Sequence, residues 1–165
     1  MDRREFLIGS AATIGCLLLP SPAFAKVPFP QIELFAEDGS TFPVKNLFGK
    51  PILFNFWTPM CTPCLEEIPD LNEIDRNVVK VVGLVDLSSQ DFLSQRYKEW
   101  VKKVGITYDN FCINNQYSVI FQRLFNNNPS YPAFSLVDSH GNHIWGSSGK
   151  ITEGDVRRIK ANLLY

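Results

Sequence analysis

Between Pro51 and Pro59 lies an uncharged run, Ile52-Leu53-Phe54-Asn55-Phe56-Trp57, which constrains the fold more than any other stretch of this 165-residue chain. It has the length of a strand, the flanking prolines argue against a helix through it, and apolar side chains at odd and even positions alike require cover on both faces. A strand of this kind belongs in the middle of a sheet. Directly after it, "MCTPCLEEIP" sets Cys61 and Cys64 three positions apart, and Leu65, Ile68, Leu71 and Ile74 follow at spacings of three. That periodicity predicts a helix over 62–77, interrupted by Pro69.

The remaining chain repeats the alternation. The valine-rich stretch 78–87 reads as a second buried strand. Leu93, Tyr97, Trp100, Val101 and Val104 share one face of a single helix over 89–104, with Ser89 or Asp91 as its cap. A short strand at 111–113 precedes a helix carrying Tyr117, Ile120, Phe121 and Leu124 on one face. "YPAFSLVD" and "HIWGSS" form a hairpin through Ser139, His140, Gly141 and Asn142. Thr152 with Asp155 is close to a capping box for a last helix bearing Val156, Ile159 and Leu163. Residues 26–50 are short apolar pieces broken by prolines, with the turn signal Asp38-Gly39, and predict an N-terminal β-hairpin. The order implies an α/β domain over 26–165, a mixed central sheet with helices on both faces.

With 16 Lys+Arg against 17 Asp+Glu and no block of like charge, nothing attracts nucleic acid or an anionic membrane surface. Proteins or small molecules are the expected partners, and the domain is expected to be a monomer. Residues 1–25 form an export signal: Arg3 and Arg4, an apolar stretch from Leu7 to Leu19, and the small-x-small ending Ala23-Phe24-Ala25. The stretch is shorter than the ~20 residues that cross a bilayer. Cleavage after Ala25 is therefore expected, with an uncleaved membrane anchor as the alternative. "DRREFLI" resembles the twin-arginine signal that exports folded proteins, the alternative being an ordinary Sec signal. Cys16 leaves with this segment, so Cys61, Cys64 and Cys112 enter an oxidising, periplasmic compartment.

Positions i and i+3 in a first helical turn lie ~5–6 Å apart, the Cα separation of a disulfide. If Cys61 caps the helix, free N–H groups favour its thiolate, and Pro63 has no helical bond to lose there. Structural zinc wants four ligands, and only Cys112, His140 and His143 remain. A permanent disulfide closing so short a loop constrains the unfolded chain little. A redox dithiol fits best, with Cys61 attacking a partner disulfide and Cys64 resolving the mixed disulfide. No cofactor and no metal are expected. Cys112 lies in an apolar stretch and reads as a buried thiol, and His140 and His143 as exposed residues flanking a turn.

The stretch "GKPILFNFWTPMCTPCLEEIP" resembles the thioredoxin superfamily and, within it, the exported TlpA/ResA-like thiol-disulfide oxidoreductases. The likeness runs from about Phe29 to the C-terminus. It implies a thioredoxin-like fold, Trp57 as the aromatic beside the dithiol, and Pro132 as the cis-proline that lies against it. Asn55 stands where thioredoxin has a buried Asp, and an amide cannot take a proton. The resemblance assigns that task to Glu67, three residues after Cys64, as proton acceptor for Cys64. Tyr131 is bulkier than the family's usual residue before the proline, and Met60 replaces a frequent Trp. The resemblance also implies reduction of protein disulfides, often in cytochrome c maturation, with electrons from a membrane thiol-disulfide carrier of the DsbD/CcdA kind. Thr62-Pro63 between the cysteines, in place of the histidine of a strong oxidant, favours the reductase direction. The alternatives are an oxidase or isomerase, a copper-binding chaperone on the same fold, and a peroxiredoxin. The copper proteins have a wider cysteine spacing and a distant histidine, and for a peroxiredoxin Thr58 fits but Phe54 stands where a proline is expected.

Overall fold

The computed structural model describes residues 26–126 and 130–164, so the export segment, its twin-arginine pattern and Cys16 lie outside the described residues. The strand at 52–57 is central, as expected. This strand, β4 (Ile52–Trp57), is buried at all six positions. It is preceded by β1 (Val27–Pro28), β2 (Glu33–Phe35) and β3 (Thr41–Pro43), and followed by β5 (Lys80–Val85), β6 (Asp109–Cys112), β7 (Ala133–Val137) and β8 (Asn142–Ser148). Together they make one sheet in the order β1-β8-β7-β4-β5-β6-β2-β3. The pairs β4–β5 and β5–β6 are parallel and the others antiparallel, so the sheet is mixed.

Among the described residues six α-helices cover it: α1 (Thr62–Glu66), α2 (Ile68–Asn77), α3 (Ser89–Phe92), α4 (Gln95–Val104), α5 (Tyr117–Leu124) and α6 (Glu153–Asn162). Strand alternation sorts the side chains of β4 between two layers. Ile52, Phe54 and Phe56 pack with Phe29 and with Ile120 and Phe121 of α5. Leu53 packs with Leu71 and Ile74 of α2 and Ile159 of α6, and Trp57 with Phe92 and Tyr97 of α3 and α4. Each large apolar side chain removed from water here contributes ~1.5–3 kcal/mol, which is why an interior strand is written almost without polar residues.

The N-terminal hairpin forms as expected. β2 and β3 turn through Asp38 and Gly39, where Gly39 takes φ +84° and Ala36 N–H donates to Ser40 O at 2.9 Å. β2 then extends the sheet beyond β6, while β1 caps the opposite edge on β8, a placement its two residues do not announce. At the other end Thr152 and Asp155 close a full capping box on α6.

Two expectations are corrected. The single helix over 89–104 is two, α3 and α4, capped by Ser88 and Ser94 rather than by Ser89 or Asp91. Ser94 Oγ accepts the Tyr97 N–H and donates to Asp91 O, so one hydroxyl closes α3 and opens α4. His143 is not an exposed turn residue. It lies on β8, half-buried, with Nδ1 2.7 Å from Ser135 Oγ, and burial pushes its pKa down. His140 does sit exposed at the turn.

Candidate dithiol site

Three chain segments meet at one end of the sheet: the C-terminal ends of β4 and β5 and the start of β7, which runs antiparallel to β4. After Trp57 the chain turns, with Cys61 N–H donating to Thr58 O at 3.0 Å, and enters α1 with Cys61 as N-cap. Cys61 and Cys64 are joined as a disulfide with their Cα atoms 5.3 Å apart, and Cys64 N–H donates to Cys61 Sγ at 3.2 Å. Pro63 occupies the first turn, where a missing N–H leaves no bond unmade. Exposure separates the two sulfurs. Cys61 reaches the surface, whereas Cys64 is only 2% exposed.

Glu67 ends α1 and begins α2 with Pro69 in the first turn behind it, so the predicted interruption falls at the carboxylate itself. Its exposure is 3%. Oε1 accepts the Ile151 N–H, and Oε2 is buried with no partner among the described residues. Burial pushes the carboxyl up to about 7, against the pull of the Ile151 N–H and the Lys150 charge and with a further push from Asp70. Glu66, beside it, is exposed and pairs with Lys150.

Asn55 is buried on the same face of β4 as Trp57, and its Nδ2 donates to Tyr108 Oη at 3.3 Å while its Oδ1 has no partner among the described residues. Trp57 stacks on Trp100 at 5.8 Å between centroids, and its indole N–H donates to Asn110 Oδ1 at 3.0 Å. Asn110 in turn donates to Tyr108 O at 3.0 Å. Room for that amide comes from Gly83, which lies between Asn55 and Asn110 in the sheet register; a Cβ there would fall 1.9 Å from Asn110 Oδ1.

The Tyr131–Pro132 peptide bond is cis. Tyr131 packs edge-on to Phe121 at 5.5 Å and against the cluster that holds Trp57 and Cys64, and its hydroxyl donates to Asp86 Oδ2 at 2.9 Å. Burial, and then the Asp86 charge, push the Tyr131 phenol up. Asp86 N–H donates to Trp57 O, which ties the end of β5 to the dithiol loop. Met60, 90% exposed, stands before Cys61 at one end of a groove of about 400 Å³ lined also by Pro59, Leu87, Arg96, Tyr97 and Trp100.

Cys112 is buried in the cluster of Trp57 and Cys64, donates to Leu87 O at 3.0 Å, and burial pushes its thiol up. Among the described residues no three His, Cys, Asp or Glu side chains come together to hold a metal ion.

The structure thus groups Cys61, Cys64, Trp57, Tyr131 and Pro132 at one end of the sheet, with Asn55 and Glu67 buried on the α1–α2 side. Gly83, Asp86, Tyr108, Asn110 and the Lys150-Ile151 backbone were not foreseen. A lone glycine inside a valine-rich strand was a legible sign that another group approaches closely there. The others act across strands or through a loop N–H and carry no local signal.

Over 82 residues, half of this chain, the sequence is 32% identical to the thiol:disulfide interchange protein DsbE of Vibrio cholerae, covering 42% of that protein. It is 30% identical over 74 residues, 40% of this chain, to the thiol-disulfide oxidoreductase ResA of Bacillus anthracis, covering 43% of it. The aligned stretch therefore spans less than half the length of these curated relatives. A thiol:disulfide interchange protein of Chlorobium tepidum, a thioredoxin family protein, superposes with a TM-score of 0.65 at 23% identity, covering 85% of this chain and 97% of that one, which establishes the thioredoxin-like fold. The AhpC/TSA family pattern matches residues 25–144, and the chain belongs to that family.

Proposed function

We propose that this chain is an exported thiol-disulfide oxidoreductase that reduces protein disulfides through Cys61 and Cys64. The observation that carries the reading is the asymmetry of the pair: Cys61 reaches solvent at a helix cap, Cys64 is buried, and a buried carboxyl near neutrality, Glu67, follows three residues later. In the reduced protein the Cys64 N–H stabilises negative charge on Cys61 Sγ. The Cys61 thiolate attacks one sulfur of a client disulfide; that S–S bond breaks, a Cys61–client bond forms, and the other client sulfur leaves as a thiolate. Cys64 passes its proton to Glu67 and attacks Cys61 Sγ, which re-forms the internal disulfide and releases the second client thiol. Two electrons pass to the client.

Tyr131 packs with Cys61 in one cluster, and the groove lined by Met60 adjoins the residue before Cys61, which supports a chain segment flanking the client disulfide lying across this end of the sheet. Trp57 and Asn55 form the buried floor of the site. Supporting export are residues 1–25, with the twin-arginine route and cleavage after Ala25 giving a mature domain from Lys26. No helix among the described residues is long and apolar enough to cross a membrane. Recharging requires an outside thiol, for which a membrane thiol-disulfide carrier is the donor we favour, and the resemblance of the dithiol stretch to the TlpA/ResA-like oxidoreductases favours clients in cytochrome c maturation.

The reduction potential of the Cys61–Cys64 pair, with its redox state in the cell, tests the direction. A reduced pool and a potential near that of thioredoxin, about −270 mV, are expected; an oxidised pool near about −120 mV makes the protein an oxidase instead.

A further inference from the structure

The segment Gly149-Lys150-Ile151, between β8 and α6, touches the site at three points. Gly149 N–H donates to Pro132 O at 2.8 Å, Lys150 Nζ pairs with Glu66 Oε2, and Ile151 N–H donates to Glu67 Oε1. Three consecutive residues thus connect the proline before β7 with the last carboxylate of α1, Glu66, and with the carboxylate at the α1–α2 junction, Glu67. A brace for the fold needs no charge at the middle residue, yet Lys150 is placed against Glu66, the neighbour of the buried Glu67 carboxylate.

We propose that Lys150 is a positioning residue for proton transfer at this site: held by Gly149 and Ile151, it sets the pH at which Glu67 takes its proton. The inference rests on the reading of Glu67 as the acceptor for Cys64. Its sign follows from the charges around Glu67. Lys150 and the Ile151 N–H favour the carboxylate, burial and Asp70 on α2 oppose it, and the nearby Tyr108 phenol, pushed up by its own burial, stays neutral. Lys150 acts twice, because it also neutralises Glu66, whose freed charge would repel Glu67. Removing the ammonium therefore raises the midpoint on both counts. Since the Lys150 side chain is 52% exposed, water and salt limit the effect.

The test follows the Glu67 carboxyl band by infrared difference spectroscopy of the oxidised full chain across pH, taking Glu67→Gln as reference. Lys150→Met, which keeps the stem, should raise the midpoint by roughly half a pH unit at low ionic strength, Lys150→Arg should restore it, and the difference should shrink near 1 M salt. If Lys150→Met lowers only the melting temperature and leaves the midpoint in place, Lys150 is a brace and the inference falls while the Glu67 reading stands. If Glu67→Gln leaves the titrating band unchanged, the acceptor reading falls and the inference with it.

Discussion

On the α5 face of the sheet Phe29, Phe54, Phe56 and Phe121 meet ring against ring, and the polar pair there, Ser135 with His143, is closed on itself by a 2.7 Å contact. The opposite face is packed to the same depth but buries Asn55, Glu67 and Asn110. All three buried side-chain polar atoms without partners among the described residues lie on this side: Asn55 Oδ1, Glu67 Oε2 and Tyr97 Oη. Each such group costs ~1–3 kcal/mol relative to a satisfied one. A sheet able to pack one face cleanly carries that cost on the other where the dithiol sits, which locates chemistry rather than poor packing.

The contrast can be broken from either side. Phe56→Ala on the apolar face should cost about 3–5 kcal/mol in denaturant unfolding while leaving the shape of the stability-pH curve unchanged, because it opens a cavity and disturbs no titrating group. Glu67 on the other face should control that curve. Its folded pKa of about 7 lies above the ordinary 4.5, so the folded state holds the proton more tightly than the unfolded one. The Glu67 contribution to stability should be largest below pH 4.5, fall by up to about 3 kcal/mol as pH rises from there through 7, and then level. Glu67→Gln should flatten this slope, and an unchanged slope would assign it to another group.

Gly83→Ala places a Cβ onto the Asn110 amide and should cost about 1–3 kcal/mol, with loss of the Trp57–Asn110 bond visible in the indole N–H resonance. A normal resonance with unchanged stability would mean that the cradle yields without cost. Smallest of all, Tyr131→Phe removes the bond to Asp86 and should cost about 1 kcal/mol. A larger loss of client turnover than of stability would show that this tyrosine acts on the client.

Much of this was legible before any coordinates. The prolines around 52–57 and the almost wholly apolar run place a central strand ahead of Cys61, and apolar spacing finds the helical stretches, with α3 and α4 read as one. The break at Ser94 was hidden because Leu93, Tyr97 and Trp100 keep helical spacing across it, so a polar residue that caps looks like one facing solvent. His143 was misplaced because it is polar next to a turn, and only its β8 register turns it toward Ser135. The Glu67 contact to Ile151 spans 84 positions and uses a backbone N–H, which no side-chain pattern encodes.

Exchange through a partly exposed Cys61 backed by a buried Cys64 is tested most directly by trapping. Cys64→Ser, mixed with a disulfide-bonded test protein, should accumulate a one-to-one adduct that mass spectrometry maps to Cys61 and that added thiol releases, and Cys61→Ser should form none. An adduct through Cys112, or no adduct while the wild-type protein still turns the substrate over, would contradict the account.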